Sequence, residues 1–157
     1  MDLRQDIRHF HGEHQDIFHF LNEWEEALKQ ATSEEESQRC AGLVRLREME
    51  PKLLAIQEHC QEEEQSADSA FRLYLDSQMF AQLQAEHDLL DQFAEAYLEE
   101  LRFVTTPPSS ERLVGLGQRL VHQLHEHIRS EEQMLERVGE SAEAEEKFLL
   151  RYTQSAE

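Results

Sequence analysis

Four histidines and two glutamates fall where helical periodicity would otherwise place aliphatic side chains. Ile7, Phe10, His14, Ile17, Leu21, Trp24 and Leu28 alternate spacings of three and four, so the imidazole of His14 points where its apolar neighbours point. Phe80, Leu83, His87, Leu90, Ala94, Tyr97 and Leu101 repeat the pattern. In Leu113, Leu116, Leu120, Leu124, His127, Glu131, Met134 and Val138, a histidine and a carboxylate both occupy the inward stripe. A less regular stretch carries His59 and Glu63. An ionised carboxylate buried without a partner is strongly unfavourable, so inward groups of this kind need a shared counter-charge, and a metal centre supplies one. Residues four apart on a helix sit one above the other, with Cβ atoms about 6 Å apart. In His59/Glu63 and His127/Glu131 the imidazole can therefore serve one metal while the carboxylate reaches a second, and His14 and His87 add a nitrogen to each. Mixed imidazole and carboxylate donors suit iron or manganese, with zinc able to substitute.

A single histidine on an apolar helix face is ordinarily a core residue bonded to a polar neighbour. Four of them with both glutamates in register argue instead for a common ligand. His9, His19, His122 and His125 lie off the stripes and are expected in solvent, whereas Trp24 reads as core. Cys60, beside His59, reads as a small buried thiol on the helix flank. With only Cys40 besides, the chain fits neither a disulfide framework nor a paired-thiolate zinc site. The Glu-x-x-His pairs of ferritin-like di-iron proteins, the His-Glu-x-x-His zinc protease signature and a Gly-rich phosphate loop are all absent from the sequence.

The elements that must position these residues are helices. At 157 residues, with 39% hydrophobic content, five glycines and three prolines, residues 1–157 are expected to form one all-α domain. Helix one is expected over about 5–30, ending before Thr32 and Ser33, with Ser33 capping a second helix that continues to about Ser69 and kinks or breaks near Met49 and Glu50 ahead of Pro51. Asp76 or Ser77 caps a third helix reaching Phe103, and Thr105–Ser110 with its two prolines is the clearest loop. Ser109 or Ser110 then caps a fourth helix ending at Val138 and Gly139. A short C-terminal helix over about 141–152 is expected to pack Phe148, Leu149 and Tyr152 on a bundle formed by residues 3–138. Short connections imply an antiparallel up-down-up-down four-helix bundle. The net charge of -19 opposes nucleic acid or an anionic membrane as partner. No apolar run approaches a membrane span and the charged N-terminal stretch is unlike a secretion signal, so the expected location is cytoplasmic.

The stretches Glu13-His14-Gln15-Asp16-Ile17, His59-Cys60-Gln61-Glu62-Glu63, Glu86-His87-Asp88-Leu89-Leu90 and His127-Ile128-Arg129-Ser130-Glu131-Glu132 resemble the hemerythrin-like, or HHE cation-binding, domain family. The resemblance covers about residues 3–138 and implies a four-helix bundle around two non-haem irons, with an oxo or hydroxo bridge and two bridging carboxylates. Carried over, it makes His14, His59, His87 and His127 terminal ligands and Glu63 and Glu131 the bridges. The chain departs from the oxygen-carrying members, which have two histidines four apart on the third helix, since His87 is followed here by Asp91. Glu132 stands where those proteins carry an aspartate, five residues after the last histidine. Asp91, Glu62, His11 or Glu132 could complete the coordination or support it from outside. By resemblance the expected function is the binding or sensing of dioxygen at the iron pair, with a metal- and oxygen-binding role favoured over a dedicated enzyme. The alternatives are a stress-response protein acting on nitric oxide or peroxide or repairing iron–sulfur centres, and a regulatory module without catalysis.

Overall fold

The computed structural model describes residues 3–66, 69–103 and 110–154. The regular structure among them is helical: α1 (Leu3–Ala31), α2 (Glu36–Glu48), α3 (Glu50–Gln65), α4 (Ala70–Tyr74), α5 (Ser77–Phe103) and α6 (Ser110–Gln154). Facing residues fix the directions. Glu13 meets His59 while Glu23 meets Lys52, and His14 meets Glu131 while Leu28 lies at Gly117. Similarly, Glu64 meets His87 while Glu50 meets Arg102, and Glu86 meets His127 while Glu100 meets Arg112. In each pair the numbers rise on one helix as they fall on the other, so α1 and α5 run opposite to both α3 and α6.

Local chemistry explains most helix ends. In α1, Asp6 lies in the first turn and Lys29 in the last, each opposing the partial charge of its terminus. Asp76 caps α5, its Oδ1 accepting the Met79 amide at 2.8 Å. Ser33 does not cap α2 directly. Its hydroxyl takes the Glu35 amide at 3.2 Å, and Glu35 itself holds the N-cap position.

The second arm of the bundle breaks at Met49, where the sequence predicts a kink or break. Met49 serves as C-cap of α2 and N-cap of α3, and Pro51 stands in the first turn of α3. The donor that proline lacks is one a helix start leaves unpaired in any case, so the break is a favourable place for it. At the other end of this arm α3 stops at Gln65, and the short α4, not foreseen from the sequence, seats Phe71 at 0% exposure. Close to the α1–α2 connection a Cβ on Gly42 would stand 2.4 Å from the Ala31 nitrogen, so only glycine lets α2 cross the end of α1 this tightly.

The expected helix end at Gly139 and the separate C-terminal helix are not found. α6 runs unbroken through Gly139 to Gln154. Nothing there calls for positive φ, and the Glu- and Ala-rich sequence after it favours helix strongly enough to carry the glycine. Phe148 and Leu149 are 67% and 55% exposed rather than packed on the bundle. The side chain of Tyr152 and the loop over 104–109, with its capping serine, fall outside the described residues.

The core forms two apolar clusters. The larger holds Trp24, Leu28, Leu46, Tyr97, Leu101 and Leu120 among others, with the Trp24 indole N–H donating to the Tyr97 hydroxyl at 3.2 Å. The smaller gathers Phe71, Leu83 and Leu135 with Ile7, Phe10 and Phe80 around them. Along α1, α5 and α6 alike, the polar stripe residues lie between the segments that feed these two clusters.

A candidate metal centre between the two clusters

Among the described residues His14, Glu63, His87, His127 and Glu131 are the buried imidazoles and carboxylates, with exposures of 0–4%. His59 completes the layer with a side chain 24% exposed. Helical spacing delivers them: α1 gives His14, α3 gives His59 and Glu63 four apart, α5 gives His87, and α6 gives His127 and Glu131 four apart.

The two carboxylates each span imidazoles from different helices. Glu63 places Oε1 2.8 Å from His59 Nε2 and Oε2 3.2 Å from His87 Nε2. Glu131 places Oε2 2.8 Å from His14 Nε2, and Oε1 2.5 Å from His127 Nε2 and 3.5 Å from His87 Nε2. The Nε2 atoms of His87 and His127 face each other at 3.0 Å. Two ligands bound to one cation at about 2.0–2.1 Å stand roughly 2.9–3.4 Å apart, and these separations, from 2.5 to 3.5 Å, scatter about that range. Yet His14 Nε2, His59 Nε2, both oxygens of Glu63 and Glu131 Oε1 are buried without a hydrogen bond among the described residues. Short approach without hydrogen-bond alignment is the signature of donors converging on something other than each other, and it fits a cation.

The outward ring nitrogens are held in a consistent way. Nδ1 of His14 bonds Glu132 at 2.6 Å, Nδ1 of His87 bonds Glu64 at 2.8 Å, and Nδ1 of His127 bonds Glu86 at 3.0 Å. Each contact fixes the ring and its tautomer so that Nε2 faces inward with its lone pair free, the arrangement typical of metal-binding histidines.

With protons in place of a cation, the layer neutralises itself. Contact with Glu63 raises the His59 pKa from 6.5 to about 9 against the cost of burial. For His127, burial works downward, but the Glu131 charge beside it prevails and the pKa rises to about 11. His14 and His87 are raised in the same way, burial being outweighed by Glu131 and Glu132 for the first, and by Cys60, Glu131 and Glu63 for the second. Burial would raise Glu131, but His127 and the other two imidazoles hold it well below the ordinary carboxylate value. Positive charge shared among buried imidazoles stabilises the carboxylates, and a bound cation would take over that role while releasing the protons.

The structure thus brings together all six residues of the inward stripes. It does not gather the four further candidates in the same way. Glu132 stands behind His14, and the exposed His11 bonds the same Glu132 at 3.2 Å. Asp91 accepts from Gln57 Nε2 at 3.3 Å and lines a small void with Cys60 and His87, and Glu62 is exposed at the rim of a pocket with His59 and Glu13. His125, expected in solvent, is half-buried, stacking on Phe18 with centroids 5.4 Å apart.

Sequence reasoning missed two of the carboxylates that hold imidazoles. Glu64 and Glu86 had a signal: each, like Glu132, is an acid adjacent in sequence to an inward residue. One step along the helix turns it toward the neighbouring helix, where it meets that helix's imidazole. Cys60 is buried, as its place on the helix flank predicts. Its Sγ, with one donor atom each from Glu63, His87 and His127, forms a group of four mutually within 4.8 Å that could hold a metal ion, and His14, Glu63 and Glu131 form a second such group.

Fold and site together define an all-α bundle with a buried histidine–carboxylate layer suited to cations. Residues 4–138 match the family described as the hemerythrin HHE cation binding domain, and the chain belongs to that family. Neither the curated proteins nor the solved structures returned a match to the chain. No helix among the described residues is long and apolar enough to cross a membrane.

Proposed function

We propose that this protein is a non-haem di-iron protein that binds or reacts with dioxygen between its helices. The observation that carries the reading is the placement of Glu63 and Glu131, each with one oxygen toward His14 or His59 and the other toward His87 and His127. A carboxylate used this way bridges two cations. One position would be held by His14 and His59, the other by His87 and His127, with Glu63 and Glu131 shared. Family membership and the donor set, imidazole and carboxylate, support iron, with manganese or zinc as substitutes. A reduced iron pair supplies electrons and open coordination positions to a small oxidant.

The residues around it supply what iron does not. Glu132, Glu64 and Glu86 keep three imidazoles oriented by accepting from Nδ1. The two apolar clusters on either side exclude bulk water. A pocket of about 190 Å³ lined by Phe10, Glu13, His59, Glu63 and Ser69 gives a molecule the size of dioxygen an approach at one edge.

Turnover of nitric oxide or peroxide is a second reading, and one observation favours it. Glu13 lies on that same pocket with Oε2 buried, without a hydrogen bond, and 3.7 Å from His59 Nε2. A carboxylate so placed can hold or pass a proton to a molecule in the pocket.

The test is metal analysis of protein grown with iron, paired with visible spectra before and after anaerobic reduction and re-exposure to air. Two irons per chain with a spectrum that changes on reoxygenation is the expected result. Iron that reoxidises with no oxygenated intermediate moves the weight to nitric oxide or peroxide, assayed next with the reduced protein. A folded protein that takes up no metal overturns both readings.

A further inference from the structure

We propose that Cys60 is a thiolate ligand to the metal held by His87 and His127, so that the two metal positions differ in chemistry. This rests on the metal-centre reading above. The sulfur faces the site rather than the apolar core alone: Cys60 Sγ, a Glu63 oxygen and one nitrogen each from His87 and His127 lie within 4.8 Å of one another. Independently of the cysteine, both Glu63 oxygens are buried without a hydrogen bond, on a side chain 3% exposed, so the place Cys60 points to already has an unsatisfied ligand.

The helix explains the arrangement. His59 and Cys60 precede Glu63 on α3 by four and three residues, so both lie over its face, about 100° apart around the axis. They straddle the carboxylate. His59 takes the side of Oε1, and Cys60 falls on the side of Oε2, where His87 stands 3.2 Å away. α3 therefore delivers one terminal donor to each position: a nitrogen on the side of His14 and a sulfur on the side of His87 and His127. On α5, one turn beyond His87, an Asp91 oxygen accepts from Gln57 Nε2 at 3.3 Å.

Ligation is a simple exchange without redox change. The S–H bond breaks, the proton leaves to solvent, and a metal–sulfur bond forms, the thiolate lowering the net charge of the site by one while the cation's oxidation state is unchanged. Histidines bind neutral and carboxylates anionic, so no oxidant or reductant is required. Thiolate selects softer cations than carboxylate and imidazole alone, so the Cys60 position should bind zinc, cobalt or iron(II) more tightly than its neighbour.

The experiment uses full-length protein carrying Cys40→Ser, which removes the exposed thiol and leaves Cys60 as the sole cysteine. Cobalt(II) is titrated into the metal-free protein while the near-ultraviolet thiolate-to-cobalt charge-transfer band is followed, with Cys60→Ser and Cys60→Ala added to the same background. The expected result is a band that grows with the first equivalent and is absent from both variants, whose tighter cobalt site weakens by roughly a hundredfold, at or beyond the upper end of what losing an outer partner costs. X-ray absorption of the zinc-loaded Cys40→Ser protein should give zinc–sulfur scattering at about 2.3 Å. This second readout needs no change at Cys60, so a misfolded variant does not rescue or sink the idea. Two cobalt ions bound with no thiolate band and no zinc–sulfur distance overturn the proposal while leaving the metal centre intact. Failure to bind cobalt or zinc overturns the centre and the ligand together.

Discussion

The two halves of the polar layer are built from the same residue types but face different surroundings. On the side of His14 and His59 lie the pocket of about 190 Å³, the half-buried Glu13 and a His59 side chain 24% exposed. On the side of His87 and His127 both imidazoles are 4% exposed, Cys60 is buried, and the adjoining void measures about 10 Å³, at the lower limit for a single water. Glu63 and Glu131 belong to both halves. One half can therefore exchange with solvent while the other stays closed, and only the shared carboxylates tie their occupancy together.

The sharpest way to break this distinction is to remove a shared carboxylate. Glu131→Ala should abolish metal binding in both halves, whereas His59→Ala should empty the outer half alone; elemental analysis after desalting separates the outcomes. The same Glu131→Ala change should destabilise metal-free protein by about 3–5 kcal/mol in urea unfolding, because it leaves His14 and His127 charged without their buried partner. Next in size is metal itself. With free cation at about a hundred times its dissociation constant, loaded protein should unfold about 2.7 kcal/mol later than chelated protein, and a transition unmoved by chelator would count against a bound ion.

Smaller effects sharpen the comparison. Glu86→Gln should weaken only the inner position and Glu132→Gln only the outer one, each by roughly 10- to 100-fold in competition titrations, since each supports a different histidine. The smallest effect is a drift with pH in the metal-free protein. His59 and His127 have folded pKa values of about 9 and about 11, above the ordinary 6.5. Their contribution is fully present below pH 6.5 and is lost as pH rises, over 6.5–9 for the outer half and onward to about 11 for the inner. Glu131, held low, contributes above its ordinary 4.5 and loses that as pH falls. His59→Gln should make the 6.5–9 limb shallower, leaving there the slope that His127 continues to give up to about 11.

What the sequence made readable followed from periodicity. His14, His87, His127 and Glu131 occupy positions that three-and-four spacing already turned inward, and four helices fixed their common depth. Glu64, Glu86 and Glu132 bond imidazoles on other helices, and spacing along one helix cannot report which neighbour it faces. For the same reason spacing left the parts of Asp91 and Cys60 open: only the packing of α3 against α5 sets an Asp91 oxygen beside Gln57 and Cys60 Sγ within 4.8 Å of donor atoms of Glu63, His87 and His127. At the C-terminus, Gly139 looked like a stop because glycine often ends helices, but the strong helix formers after it prevailed.

The interruption at Met49 divides the second arm between two loyalties. α2 buries Gly42, Leu43 and Leu46 near the end of α1, whereas α3 carries His59, Cys60 and Glu63. With no continuous ladder of amides joining them, the two segments can open separately. Amide hydrogen exchange should then speed up along the latter half of α3 when the protein is stripped of metal, while α2 keeps its protection, so that one short segment reports on the state of the centre and the rest of the bundle remains closed.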